Sequence, residues 1–346
     1  MFQFSTKQLT TRCVVKNRQA GISLIELMIA LALGAMLLLG VYKVFDLHQR
    51  GFQLIVDLND REDNAQLALK ILTDAIRMAD HWGGVDSSKV KVLKGSLSAA
   101  PGACDLNWVL DITQGIKGMD GESAASQLKG LPGQCIKDKD YIEHSDMLAV
   151  RFADSRHYFY EQELDNKRYQ AHYFVRAQAG DAALVFQGRE TQAALKTIPD
   201  KGYHYNMAFH SSLFFLKPCQ LNSVACVETE SVLTRLVLSG DRYIQEPLVE
   251  GIEQLQFEYG VDEDADSVVD RYLPASDVSD WQHVMSVRLF LLARSRLRDI
   301  SMDEMGKVYL MNSDASPSKA HFEVRQDGRH YRRKLYQRDV ELKNRS

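Results

Sequence analysis

Between Ile22 and Phe45 the chain reads ISLIELMIALALGAMLLLGVYKVF, and no charged side chain interrupts Leu27 to Tyr42. An α-helix rises about 1.5 Å per residue, so the 21 residues from Ile22 to Tyr42 suffice to cross a hydrocarbon core about 30 Å thick. The run predicts one membrane-spanning helix. Lys7, Arg12, Lys16 and Arg18 precede it without any acid, whereas Lys43, Asp46, Arg50 and Asp57 follow it with both signs. The positive-inside bias then predicts a cytoplasmic N-terminus, with the bulk of the 346 residues on the other side. A removable secretory signal would end in a small-residue site after the apolar run, but VYKVFDLHQR follows here.

One acid, Glu26, lies inside the apolar block, and Gly21 stands just before it. A carboxylate inside a membrane helix costs about 2.5 to 3.5 kcal/mol at mid-depth and calls for a cationic partner. A cut after Gly21 would create one, because the new amine on Ile22 would stand one helical turn from Glu26. The string Ala20-Gly21-Ile22-Ser23-Leu24-Ile25-Glu26-Leu27, followed by an apolar helix, resembles the class III signal of type IV prepilins and type II secretion pseudopilins. The resemblance implies cleavage between Gly21 and Ile22 by a prepilin peptidase, methylation of the new amine, and retention of the helix as the polymerisation element. Glu26 takes the acidic position of that signal. Ala30 and Gly34 offer a small-residue face for close helix contact.

Beyond the apolar block, Leu54, Ile55, Leu58, Ala65, Leu69, Leu72, Ile76 and Ala79 recur at three- and four-residue steps among charges. This amphipathic stripe predicts that the helix continues to about Asp80 and stops at His81-Trp82-Gly83-Gly84. From Lys89 to Asp140 the chain is poor in periodicity and reads as a loop-rich excursion. Strands are predicted at 147–152, 157–163, 169–176, 182–187, 212–216, 232–238, 255–259, 284–293 and 331–342, with a hairpin turn at Asp165-Asn166-Lys167. The fold class is therefore α+β: a long N-terminal helix, transmembrane in its first half, on a head of antiparallel sheet. The expected divisions are 1–21 leader, 22–45 membrane half of the helix, 46–82 amphipathic half, and 83–346 periplasmic or extracellular head.

Five cysteines are present, and removal of Cys13 with the leader leaves four. Their spacing reads as two disulfides, Cys104 to Cys135 and Cys219 to Cys226, in an oxidising compartment. The competing reading is four buried thiols in a reducing one.

Forty-two Lys and Arg against 46 Asp and Glu leave a net charge of -4, so no global basic field points to nucleic acid. The balance is uneven: Asp241 to Asp280 holds 12 acids and two bases, and His321 to Ser346 holds eight bases and four acids. Such patches could steer neighbouring subunits or pair within one molecule. No phosphate-loop, dinucleotide-binding, zinc-protease or serine-hydrolase string occurs. Asp262, Asp264 and Asp266 resemble the start of a calcium loop, but Ser267 replaces the turn glycine and Leu273 stands where the closing Glu would fall. A solvated acidic turn is the favoured reading; no metal and no cofactor are expected.

In the second half, Gly251-Ile252-Glu253-Gln254-Leu255-Gln256-Phe257-Glu258-Tyr259-Gly260, Trp281 to Leu289 and Ala293-Arg294-Ser295 resemble PilW-type minor pilins, as does the basic stretch from Tyr331 to Asn344. That resemblance implies a minor pilin, not an enzyme, that primes type IV pilus assembly at or near the tip and supports twitching motility and attachment. Implied partners are the prepilin peptidase, other minor pilins, the major pilin and the inner-membrane assembly platform. The implied location is the inner membrane, single-pass, and then the pilus at the cell surface. A type II secretion minor pseudopilin is the nearest rival, and a membrane-tethered periplasmic hydrolase a more distant one.

Overall fold

The computed structural model describes residues 21, 23–93, 104–132, 135–164, 166–198, 204–219, 231–240, 242–313 and 320–345. Helix α1 runs Leu24–Met78. It passes through Gly34, Gly40 and Gly51 without a break, since a glycine costs a helix interior only about 1 kcal/mol relative to alanine. The chain divides into two compact units between Ile55 and Val56.

In the first unit the apolar residues Leu24 to Phe45 are exposed on every side of the helix. An all-round apolar surface has no preferred face to bury in water; among the described residues this is the one helix long and apolar enough to cross a membrane.

In the second unit α1 turns amphipathic, and Ala65, Ala68, Leu69, Leu72 and Ile76 are buried. The three- and four-residue steps place them on one stripe. The helix stops at its predicted signal: Asp80 adopts φ 64°, and Gly83 follows with φ 71°. A side chain at Gly83 would also strike Met207 and Ala177, so only glycine fits.

The strands are β1 (Val90–Val92), β2 (Ile116–Met119), β3 (Met147–Tyr158), β4 (Tyr173–Gln178), β5 (Ala182–Gln187), β6 (His204–Pro218) and β7 (Ser231–Ser239). They continue with β8 (Arg242–Glu250), β9 (Ile252–Val261), β10 (Arg271–Leu273), β11 (Val284–Arg294), β12 (Val308–Leu310), β13 (His321–Glu323) and β14 (Arg333–Glu341). An eight-stranded sheet follows the order β1-β5-β4-β6-β3-β2, with β7 and β8 branching from β6; a four-stranded sheet follows β10-β9-β11-β14, and β12 pairs with β13. Every pair is antiparallel except β1 with β5, a short parallel pair. Among the described residues there are also three short α-helices, α2 (Leu106–Val109), α3 (Glu161–Leu164) and α4 (Thr191–Thr197), and several single 3-10 turns.

The helix stripe packs into one core with residues of both sheets: Leu148, Val150, Phe214 and Leu216 from the larger, and Leu255, Phe257, Leu289, Leu291 and Val340 from the smaller. Opposite faces of the same strands are also covered. Met147, Ala149, Leu213 and Phe215 pack with Val109, Leu110, Ile112, Leu128 and Ile136, while Phe290 and Leu292 pack with Tyr309, Met311 and Val324. Burial on both faces explains the continuous apolar run of β11, which a half-exposed strand would not tolerate.

The described residues of the excursion expected as loop thus include a packed layer over the larger sheet, and the Cys104–Cys135 disulfide links its ends. Arg151 of β3 is buried and donates to the backbone oxygens of Val109, Gln114 and Trp108 at 3.0, 2.8 and 2.6 Å, so its burial is met by hydrogen bonds rather than by a carboxylate. The second expected disulfide, Cys219 to Cys226, lies outside the described residues because Cys226 is not among them.

Two sequence expectations fail locally. The strand expected at 157–163 and the hairpin after it are absent: β3 ends at Tyr158, α3 takes 161–164, and both β3 and β4 pair with β6 rather than with each other. The Glu163 carboxylate accepts from the Tyr160 N–H at 2.8 Å, fixing a helix start where alternation suggested a strand.

Candidate functional site

At its start, α1 is closed by its own side chains. Ser23 precedes the helix, its hydroxyl accepts from the Ile25 N–H at 3.4 Å, and the Glu26 carboxylate accepts from the Ser23 N–H at 3.1 Å. This reciprocal arrangement is a capping box, and it places a negative charge where the helix dipole is positive. It engages one carboxylate oxygen of Glu26, which otherwise stays exposed. Glu26, Ala30 and Gly34 follow at four-residue steps and so share one ridge. A Cβ at Gly34 would meet nothing within 4 Å, so the space beside the ridge is open for a second helix. Gly21 is exposed, and Ile22 lies outside the described residues.

In the second unit, the helix is fastened to the head by charged groups at several points. Asp57 is buried, and its Oδ1 accepts from the N–H groups of Arg296 and Leu297 at 2.8 and 3.0 Å. Glu62 accepts from Lys334 Nζ and the Tyr336 hydroxyl, each at 2.7 Å. Those donors hold its carboxyl down to about 2 from the ordinary 4.5, Lys334 contributing most. At the far end of the helix, Asn344 Nδ2 donates to the Arg77 and Ala79 carbonyls at 3.1 and 2.9 Å, and Arg345 Nε donates to Asp80 Oδ2 at 2.7 Å. Arg345 also donates to the carbonyls of Trp281 and Val284. Carbonyls that a helix end leaves orphaned are here closed from the segment that follows β14.

These ties answer the question of the basic stretch. Arg332 pairs with Asp299, Arg333 with Glu253 and Glu304, Lys334 with Glu62, and Arg345 with Asp80. Much of that positive charge is therefore spent inside the molecule rather than offered to a neighbour. The sequence pattern did not reveal Asp57, Glu62 or Arg345 as fasteners; the one available signal was acids interrupting the apolar stripe.

Asp262, Asp264 and Asp270, rather than Asp266, bring carboxylate oxygens within 4.8 Å of one another. The loop consumes them. Asp262 accepts from the N–H groups of Asp266 and Ser267, Asp270 from that of Glu263, and Asp266 from that of Val268. Asp264, fully exposed, has its pKa raised first by Asp266. The arrangement is an acid-rich turn organised by its own side chains.

A groove of about 1300 Å³ in the second unit is lined in part by Asp120, Glu143, Gln256, Tyr272, His321 and Arg325. Asp120 accepts from the N–H groups of Ala275 and Ser276 at 2.8 and 2.7 Å. Asp146, deeply buried with its pKa pushed up by burial, accepts from those of Gly121 and Phe257, both at 2.7 Å. Its carboxylate thus bridges the end of β2 to β9 of the other sheet. These acids fasten backbone.

A family model described as type IV pilus-assembly protein W matches residues 222–344, and one described as the prokaryotic N-terminal methylation motif matches residues 16–42. No curated protein and no solved structure matches the chain.

Proposed function

We infer that this PilW-like type IV pilin, a minor pilin associated with the pilus, helps to prime pilus assembly from the inner membrane and resides at or near the tip. The observation that carries this reading is the helix start: a retained apolar helix with one exposed carboxylate on a small-residue ridge, inside the matched methylation motif. In the proposed sequence of events a prepilin peptidase cuts between Gly21 and Ile22 on the cytoplasmic side, and the new amine is methylated. Glu26 of an incoming subunit then exchanges its local N–H contact for the ammonium of a neighbour, which offsets the cost of a lone charge in an apolar bundle and sets the axial register. Ala30 and Gly34 let the helices approach closely. The head faces the periplasm before assembly and the exterior afterwards, where it supports attachment and twitching motility.

The match over 222–344 favours a pilus over a secretion pseudopilus. The matched families are structural, and we read this chain as a structural subunit rather than an enzyme. In a piliated host, Glu26→Ala is expected to be processed normally yet be missing from sheared pili, and replacement of Gly21 by a bulky residue is expected to leave only precursor on a gel. Incorporation of Glu26→Ala at the normal level would remove the register mechanism; a mature band from the Gly21 variant would remove the cleavage site.

A further inference from the structure

The segment that follows β11 is unusual for a water-exposed surface. Leu297, Ile300, Met305 and Val308 are 48%, 83%, 61% and 45% exposed within a dozen residues, a concentration of bare aliphatic groups that the rest of the head does not repeat among the described residues. Exposed aliphatic groups gathered in this way normally mark an interaction. Its charges are arranged to suit a particular partner. The three acids of the segment are each neutralised from within the protein: Asp299 by Arg332, Asp303 by Arg329 and Glu304 by Lys307 and Arg333. Arg298, exposed between Leu297 and Asp299, makes no ion pair among the described residues. What the segment shows to its surroundings is therefore aliphatic side chains and the unpaired cation Arg298, beside acids that each have a basic partner, and aliphatic groups with a cation are the pairing that binds an anionic lipid interface.

The segment is also tied to a residue that follows the apolar run closely in sequence. The Asp57 carboxylate accepts from the N–H groups of Arg296 and Leu297, where the segment begins, and Asp57 follows Phe45 by only 12 residues.

The geometry points to residues 297–308 as a peripheral lipid contact, in which the aliphatic groups enter the headgroup region of the bilayer while Arg298 meets a lipid phosphate. The contact rests on the membrane-anchored reading above and adds a surface that must be released when the subunit leaves the bilayer.

The test uses the full mature chain reconstituted in vesicles of phosphatidylethanolamine and phosphatidylglycerol, with Ile300→Cys carrying an environment-sensitive fluorophore and Asp264→Cys as the control position. Lipid bearing a spin label near its headgroup is expected to quench the label at 300 at least about twofold more than that at 264. Arg298→Glu should reduce that quenching, and removal of phosphatidylglycerol should do the same. Equal quenching at both positions, in protein that resists carbonate extraction, overturns the lipid contact while leaving the anchor intact. Protein that does not stay with the vesicles overturns the anchor as well. A label indifferent to spin-labelled lipid but shifting with protein concentration in detergent would replace the lipid by a second chain.

Discussion

The two parts of α1 have the same backbone and opposite surroundings. Before Phe45 nearly every residue is apolar and exposed; from Val56 onward a narrower stripe, Ala65 to Ile76, is buried while the polar face stays wet. Helix formation is therefore not what distinguishes them. The width of the apolar surface is: an all-round coat needs a solvent of lipid or other helices, whereas a stripe needs one sheet. The fasteners differ as well. The early part carries a single carboxylate closed on its own helix start, and the later part carries Asp57, Glu62 and the Asp80 end, all engaged by the head.

The largest expected effect separates the parts by paired substitution. Leu72→Asp buries an unpaired charge in the shared core and should prevent the head from folding, read as loss of the cooperative thermal transition in detergent; Leu38→Asp should leave that transition unchanged and weaken membrane insertion by about 2.5 to 3.5 kcal/mol. Equal effects would break the comparison. Next, Arg345→Ala leaves the buried Asp80 carboxylate without its cationic partner, with the Trp82 indole N–H still bound, and should cost about 3 to 5 kcal/mol in denaturant unfolding of the head. Replacing Cys104 and Cys135 by Ala opens a link across 31 residues and should cost roughly 3 to 4 kcal/mol by the same measurement, without affecting membrane retention.

The smallest effect is electrostatic. Because the Glu62 carboxyl is held near 2 in the folded head and lies at 4.5 when free, its contribution is complete above pH 4.5 and fades as pH falls toward 2. Glu62 is more than a third exposed, so solvent screening keeps that contribution under about 1 kcal/mol. Glu62→Gln should flatten the acid side of the stability curve in that window alone.

Much of this division is legible in the sequence. Composition gives the coat, three- and four-residue spacing gives the stripe, and Gly83-Gly84 gives the stop. Strand β5 matches its expected limits, and β9 and β11 come close, because long β-branched and aromatic runs between turn residues leave few alternatives. Strand β8 is not legible in the sequence: it is an edge strand with Pro247 and exposed polar residues, so it lacks the alternation that a buried face imposes. The stretch 104–132 could be seen to lack periodicity but not to be a packed layer, because its order comes from Arg151 and from sheet faces far along the chain. At the helix start, Gly21, Glu26, Ala30 and Gly34 could all be named from spacing. The fasteners of the later part could not, since each is a meeting of residues more than two hundred positions apart.

The closure of the Asp80 end has a temporal meaning. Arg345 and Asp80 are separated by 265 positions, so a helix completed early in translation waits roughly 13 to 50 s, at about 5 to 20 residues per second, before the group that seals it has even been synthesised. During that interval the hydrophobic stripe has no finished sheet to cover it, which makes the nascent subunit a client for holding factors at the stage when its anchor is already complete.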